Sequence, residues 1–280
     1  MRKLSIAVLA IATAVAVASV AYATNVYKVH LGSTTVPGKG SATKPIPTGL
    51  KFGFQVEDSD STKRATVIEE YAIGSEGLVT TPKPFPKCAF SDLDNEPSPP
   101  AKCKPALVGT GLVKNAAGPS EATPGPGGPR ALSDSSPCNL QLRLYNSSSA
   151  GRNGGMILRL DGGPPIPPSF ESDQVGCALP IHTAISGRFV TRRIGGVKAS
   201  DFVFTVPQNL KHPLAGVDNS VRRSDNIIKL RTKMVSGKKR GYYAKVGCKG
   251  TKREVRATFK TEATASQPSQ TFTARKQSKC

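Results

Sequence analysis

Hydrophobic residues recur at every second position in one segment of this chain after another. Leu50, Phe52, Phe54 and Val56 alternate with Lys51, Gly53, Gln55 and Glu57. Leu140, Leu142 and Leu144 alternate with Gln141, Arg143 and Tyr145, and Leu158 and Leu160 flank Arg159. Phe202, Phe204 and Val206 repeat the pattern, as do Val255, Ala257 and Phe259. Successive side chains on a strand point to opposite faces, so each segment reads as a strand with one buried face. Weaker strand signals cover residues 27–31, 66–73, 107–113, 188–192, 227–233 and 242–246. No stretch of about 12 residues carries the three-to-four spacing of an amphipathic helix.

The connections between these segments are rich in proline and glycine, above all over residues 96–105, 118–137 and 162–168. Such stretches cannot continue a sheet and read as surface loops, the middle one mobile. Ser236-Gly237 reads as a two-residue hairpin turn that pairs residues 227–235 with 239–246. Many short strands with such connections predict an all-β fold, an antiparallel sandwich or barrel-like architecture with Pro-rich loops. A boundary near residues 162–174 separates a neutral β-rich region, 24–168, from a basic one, 169–280. The two form either one domain or two β subdomains.

Composition then adds a compartment. Met1-Arg2-Lys3 is followed by the uncharged, apolar run Leu4 to Val20 and by Ala21-Tyr22-Ala23, a small-x-small cleavage pattern. Residues 1–23 thus read as a cleaved secretory signal peptide. The alternative, a retained anchor, has an apolar run at the short end of what spans a bilayer. All six cysteines, Cys88, Cys103, Cys138, Cys177, Cys248 and Cys280, lie beyond the leader. An even number in an exported chain predicts disulfides. Pairing neighbours gives Cys88–Cys103, Cys138–Cys177 and Cys248–Cys280. The first closes a loop of about 15 residues, worth roughly 3 kcal/mol through restriction of the unfolded chain. The third ties down a polar tail, 266–280, that has little else to hold it. With no Cys-x-x-Cys and with His30, His182 and His212 far apart, no metal site is expected.

Charge separates the chain more sharply than hydropathy does. Residues 24–186 carry 15 basic and 14 acidic side chains, a net of +1, whereas residues 187–280 carry 22 basic and 5 acidic, a net of +17. A field of that sign favours polyanions, and outside a cell these include anionic wall polymers and phospholipid headgroups.

Several short motifs run in one order along the chain. Phe85-Pro86-Lys87-Cys88 comes first, then Cys103 with Val108-Gly109-Thr110-Gly111, then Leu144-Tyr145-Asn146. Phe204-Thr205-Val206-Pro207-Gln208-Asn209-Leu210 and His212-Pro213-Leu214 follow. In this the chain resembles uncharacterised secreted, cysteine-containing β-rich proteins of high-GC actinobacteria. The resemblance implies an extracytoplasmic β-rich protein and brings no catalytic residue with it.

Fragments of known chemistry do not assemble into a site. Gly38-Lys39 lacks the second glycine and the helix of a phosphate loop. Ser41-x-x-Lys44, Ser236-x-x-Lys239 and Ser224-Asp225-Asn226 echo penicillin-recognising enzymes, but the Lys-Thr/Ser-Gly element is missing. Asp58, Asp60, Thr62 and Glu69 stand at calcium-loop positions, with Lys63 where glycine is required. A polar hairpin turn between residues 50–57 and 66–73 explains the same residues. Glu69 and Glu70 fall on opposite faces of a strand, and Asp92, Asp94 and Glu96 read as loop solvation. His182 or His212 could serve a triad assembled in space. No cofactor is implied.

The sharpest candidate is a mixed cationic and aromatic stretch, Lys238, Lys239, Arg240, Tyr242, Tyr243 and Lys245, which Arg222 and Arg223 could extend. Cations would meet an anionic cell-wall polymer or membrane surface, and tyrosines could stack on bases, although export argues against nucleic acid. The expectation is a secreted, non-enzymatic, envelope-associated structural or binding protein. The alternatives are a secreted hydrolase with a site assembled from scattered residues and an extracellular adhesion or assembly module.

Overall fold

Each alternating segment is a strand in the computed structural model, which describes residues 25–148, 153–264 and 267–280. The expected leader, 1–23, lies outside the described residues. The first five strands are β1 (Asn25–Thr34), β2 (Ile46–Thr48), β3 (Leu50–Asp58), β4 (Ile68–Ser75) and β5 (Leu78–Thr80). Then come β6 (Leu107–Pro119), β7 (Ser136–Asn146), β8 (Gly155–Gly162), β9 (Ile181–Ile194) and β10 (Val197–Thr205). After a four-residue helix, α1 (Gln208–Lys211), follow β11 (Val217–Ile228), β12 (Thr232–Val235), β13 (Lys238–Gly241), β14 (Tyr243–Lys245), β15 (Lys252–Thr261) and β16 (Thr271–Lys279).

Eleven strands form one antiparallel sheet in the order β1-β3-β11-β6-β7-β8-β9-β10-β4-β15-β16. Its two edges come back together. The Tyr27 ring of β1 stacks on Phe259 of β15 at 4.7 Å and lies 4.9 Å from Phe272 of β16. The sheet is thereby nearly closed into a barrel. The alternating apolar residues fill it, with Phe54, Tyr71, Phe204 and Phe259 in mutual ring contact. Lys51, Arg188 and Lys260 of the same strands face solvent, the reverse of a membrane barrel with an apolar outer band. The chain runs β2-β14-β5 as a small sheet at one end, contributing Leu78 and Tyr243 to the core, and Leu210 of α1 enters from the other.

Strand β8 is buried on both faces, which its near-continuous apolar run reflects. Its inner face meets the barrel core. Its outer face and those of β7 and β9 lie under residues 82–106, where Leu93 and the Cys88–Cys103 bridge pack on Tyr145, Ile157 and Ala184. The cysteines pair as neighbours: Cys88–Cys103, Cys138–Cys177 and Cys248–Cys280. Three disulfides are consistent with an oxidising, extracytoplasmic environment.

The regions 24–168 and 169–280 share one sheet: β3 lies beside β11, and β4 between β10 and β15. Several other expectations are corrected. The Ser236-Gly237 turn exists, with φ of 48° and 70°, but it joins only β12 to β13. Ile227 and Ile228 belong to the barrel strand β11, and Tyr243–Lys245 to the small sheet. Strands β3 and β4 are not hairpin partners, because closure of the barrel places other strands beside each. The polar tail is itself a strand: β16 pairs with β15 along its length, turning Ala274 inward. The proline-rich loop 118–137 is tied to the barrel end. Buried Arg130 pairs with Asp58 at 2.9 Å and donates to the Arg64 carbonyl at 2.7 Å.

Candidate functional site

Two tight hairpins flank a groove on the outside of the barrel. Beside β12–β13, the Gly195-Gly196 turn, with φ of 59° and 86°, joins β9 to β10. Positive φ at both central residues is the geometry that matches the twist of the flanking strands. These hairpins carry Arg193, Lys198, Lys238, Lys239 and Arg240 to a groove of about 1040 Å³, and Lys83 joins them from the segment after β5. All six cations are exposed. No aspartate or glutamate is among the described residues that line the groove.

The register sharpens this. Lys198 stands directly opposite Arg193, and Lys233 opposite Arg240. Like charges across a strand pair are destabilising by a few tenths of a kcal/mol. None of these residues makes an ion pair with a described carboxylate, unlike Arg192, which reaches Asp201 at 3.1 Å. Concentrated, uncompensated positive charge in a concave site focuses the field on an incoming anion.

Other expected members of this surface lie elsewhere. Tyr242 and Tyr243 are core residues: Tyr242 meets Phe85 edge-on at 5.6 Å, and Tyr243 meets Phe189 at 6.1 Å. A bend at Tyr242 carries the chain from one sheet into another, so two adjacent side chains both turn inward. Burial raises both hydroxyl pKa values well above the ordinary tyrosine value. Lys245 is fully buried, with its Nζ donating to the Val36 carbonyl. Burial and the nearby Arg253 charge lower its pKa. Arg222 and Arg223 lie on the outer face of β11, away from the groove. Arg222 sits over the Phe170 ring at 5.0 Å and pairs with Glu171 at 3.1 Å; Arg223 pairs with Asp225 at 2.5 Å. Three of the eight expected residues therefore line the groove: Lys238, Lys239 and Arg240. Arg193, Lys198 and Lys83 were missed. A two-glycine turn between strand segments is the signal that would have set Arg193 opposite Lys198.

The remaining candidates are partnered among themselves. Asp58 is held by Arg130, and Glu69 by Lys260 at 2.6 Å. Asp60 accepts from the Thr62 hydroxyl at 2.6 Å and its amide at 3.0 Å, which lowers its pKa to about 2. The calcium-loop residues thus make a polar turn. Ser41 accepts from the Lys44 amide at 3.0 Å, a local turn as well. Asp92 approaches Cys88 and Cys103, but both sulfurs are in a disulfide and Asp92 pairs with Lys102 at 2.8 Å. His212 is bonded by carboxylates on both ring nitrogens, Asp218 at 2.9 Å and Glu262 at 2.7 Å, so neither nitrogen is left to activate a nucleophile. His182 meets Asp161 through Nδ1 at 3.0 Å.

Compared with protein-family models, with curated proteins and with solved structures, the chain matches none of them.

Proposed function

We propose that this is a secreted, non-enzymatic, envelope-associated binding protein whose groove holds an anionic cell-wall polymer or an anionic membrane surface. The observation that carries the reading is the gathering of six exposed cations around one concave surface, with cation set opposite cation and no carboxylate among the described residues of the lining. Such an arrangement opposes folding slightly and gains when an anion enters. Stacking of bases is a poor fit, because the tyrosines beside the hairpin are buried. That favours a polymer recognised through repeated phosphates or carboxylates over a nucleic acid.

A hydrolase built on His182 is the second reading, since its Nδ1 meets Asp161 as the histidine of a triad meets its carboxylate. An assembly module working through strand edges has less support, because β1 and β16 lie against each other.

The test is co-sedimentation with cell-envelope fragments at low salt and again near ~0.5 M, where screening shortens the reach of charge to a few ångströms. Binding that is lost with salt, and lost at low salt on reversing Lys238, Lys239 and Arg240 to Glu, supports the groove. Absence of binding at low salt, or binding indifferent to both changes, overturns it.

A further inference from the structure

The barrel is not packed solid. A cavity of about 140 Å³ remains between its walls, which include Leu142, Leu158, Ile185, Phe202, Phe204 and Val221. Where β6 and β11 run together the wall is polar instead. The register sets Asn115 opposite Val221 and Ala117 opposite Asn219, which makes Asn115 and Asn219 diagonal neighbours near α1. Asn226 and Ser224 continue the stripe along β11.

These polar groups are incompletely satisfied. Asn115 is 2% and Asn219 8% exposed, and the Oδ1 atoms of Asn115, Asn219 and Asn226 are buried without a hydrogen-bond partner. Two of the amides have a defined orientation. Asn219 donates through Nδ2 to the Leu210 carbonyl at 3.0 Å, and Asn226 donates through Nδ2 to Ser224 Oγ at 3.0 Å. In each the oxygen is left without a donor, and that of Asn226 lies against Gly111 of β6. Buried acceptors without donors are rare because each forfeits its hydration, and three along one cavity call for a donor. Lys211, the cation on this wall, is already held by Glu262 at 2.8 Å.

We propose that the barrel interior is a binding chamber for one small, largely apolar, neutral molecule that carries a hydrogen-bond donor, of the size and chemistry of a phenol. The apolar walls take the ring. The amide oxygens of Asn115 and Asn219 accept from its hydroxyl. The volume matches the class: an apolar cavity of about 150 Å³ in another protein takes benzene. An anion is disfavoured because the walls are otherwise neutral and the cation among the described lining residues, Lys211, is already held by Glu262. The proposal is independent of the reading of the outer groove.

The test is calorimetric titration of the folded protein with phenol and with benzene, alongside the side-chain amide NMR signals of the asparagines. Phenol binds about five-fold or more tightly than benzene, because only phenol satisfies the amide oxygens, and the Asn115 and Asn219 signals shift. In Asn219→Leu the preference for phenol falls toward unity while benzene still enters. If that variant does not fold, the comparison of phenol with benzene on the natural chain decides alone. Two results overturn the proposal. Binding of neither molecule makes the cavity a packing gap or a water site, and equal affinity for both removes the amides from recognition.

Discussion

Arg159 and Arg240 are the same residue put to opposite uses. Arg159 points outward from β8 but is fully buried beneath residues 82–106. It donates to the carbonyls of Leu93 and Glu96 and pairs with Asp161 at 2.6 Å. Arg240 stands exposed at the groove, opposite another cation and without a carboxylate. The clamp pattern recurs: Arg64 reaches the Asp218 carbonyl at 3.0 Å, and Arg253 the Cys280 carbonyl at 3.2 Å. Buried guanidiniums with fixed acceptors fasten loops to the barrel. Net charge therefore overstates the field of the basic region, because part of it is neutralised or enclosed. The charge available to a partner stands partly at the two hairpins and partly on β15 and β16, where exposed Lys252 lies opposite exposed Lys279.

The comparison can be broken most severely at the clamp. Arg159→Met leaves Asp161 and two backbone carbonyls short of their partner, and unfolding stability is expected to fall by about 3–5 kcal/mol in urea titration. Binding to envelope fragments stays unchanged while the fold persists. Tyr242→Ala, two residues from Arg240, should cost a similar 3–5 kcal/mol because it empties a fully buried site. Were Tyr242 an exposed platform, the same change would weaken binding and leave stability alone.

The groove predicts the inverse outcome. Reversal of Lys238, Lys239 and Arg240 to Glu should move stability by less than about 1 kcal/mol, these being exposed positions without partners. Affinity for an anionic polymer should drop at least about tenfold at low salt.

Acid sharpens the clamp side. Burial pushes the Asp161 and Glu262 carboxyls up, but their bonds to Arg159 and His182, and to Lys211 and His212, outweigh it, so both pKa values are lowered. A depressed carboxyl contributes stability that is complete above its unfolded value and lost as pH falls through the folded one. Stability should therefore hold down to the ordinary values of 4.5 and 3.8 and decline below them. The loss is on the order of 1 kcal/mol per group. Glu262→Gln should flatten its share of that decline in melts taken across this range.

The smallest effect is at the hairpin tip. Ser236 adopts a left-handed φ of 48°, which Asn tolerates better than Ser. Ser236→Asn is expected to raise stability by a few tenths of a kcal/mol, at the edge of what melting curves resolve, and to leave the groove charges in place.

Much of the barrel was legible because its strands bury one face. Wherever apolar residues alternated, as from Leu50 to Val56 or from Val255 to Phe259, a strand with that inner face exists. Among the barrel strands, β11 was recognised only at its last two residues, and its inward positions include Asn219, Ser224 and Asn226. Polar residues that face a cavity mimic the pattern of an exposed segment. β16 was missed for a related reason: Phe272 and Ala274 are its main inward apolar residues, and the rest of the strand is an exposed outer edge. At the groove, Lys238, Lys239 and Arg240 could be picked out by their charge, while Lys83 and Lys198 are isolated in sequence and meet the others only across hairpins and loops.

The sequence by itself determined that this chain is a β-protein, which residues of most strands face inward, and that its six cysteines are of the number and setting that form disulfides. Those properties follow from period-two alternation and from an even number of cysteines in a chain with an export signal. Tertiary structure alone decided which strands lie side by side, which cations are buried as clamps and which are left around a groove. These depend on closure of the sheet, which brings together residues hundreds of positions apart, and on whether a carbonyl or carboxylate is waiting where each side chain arrives.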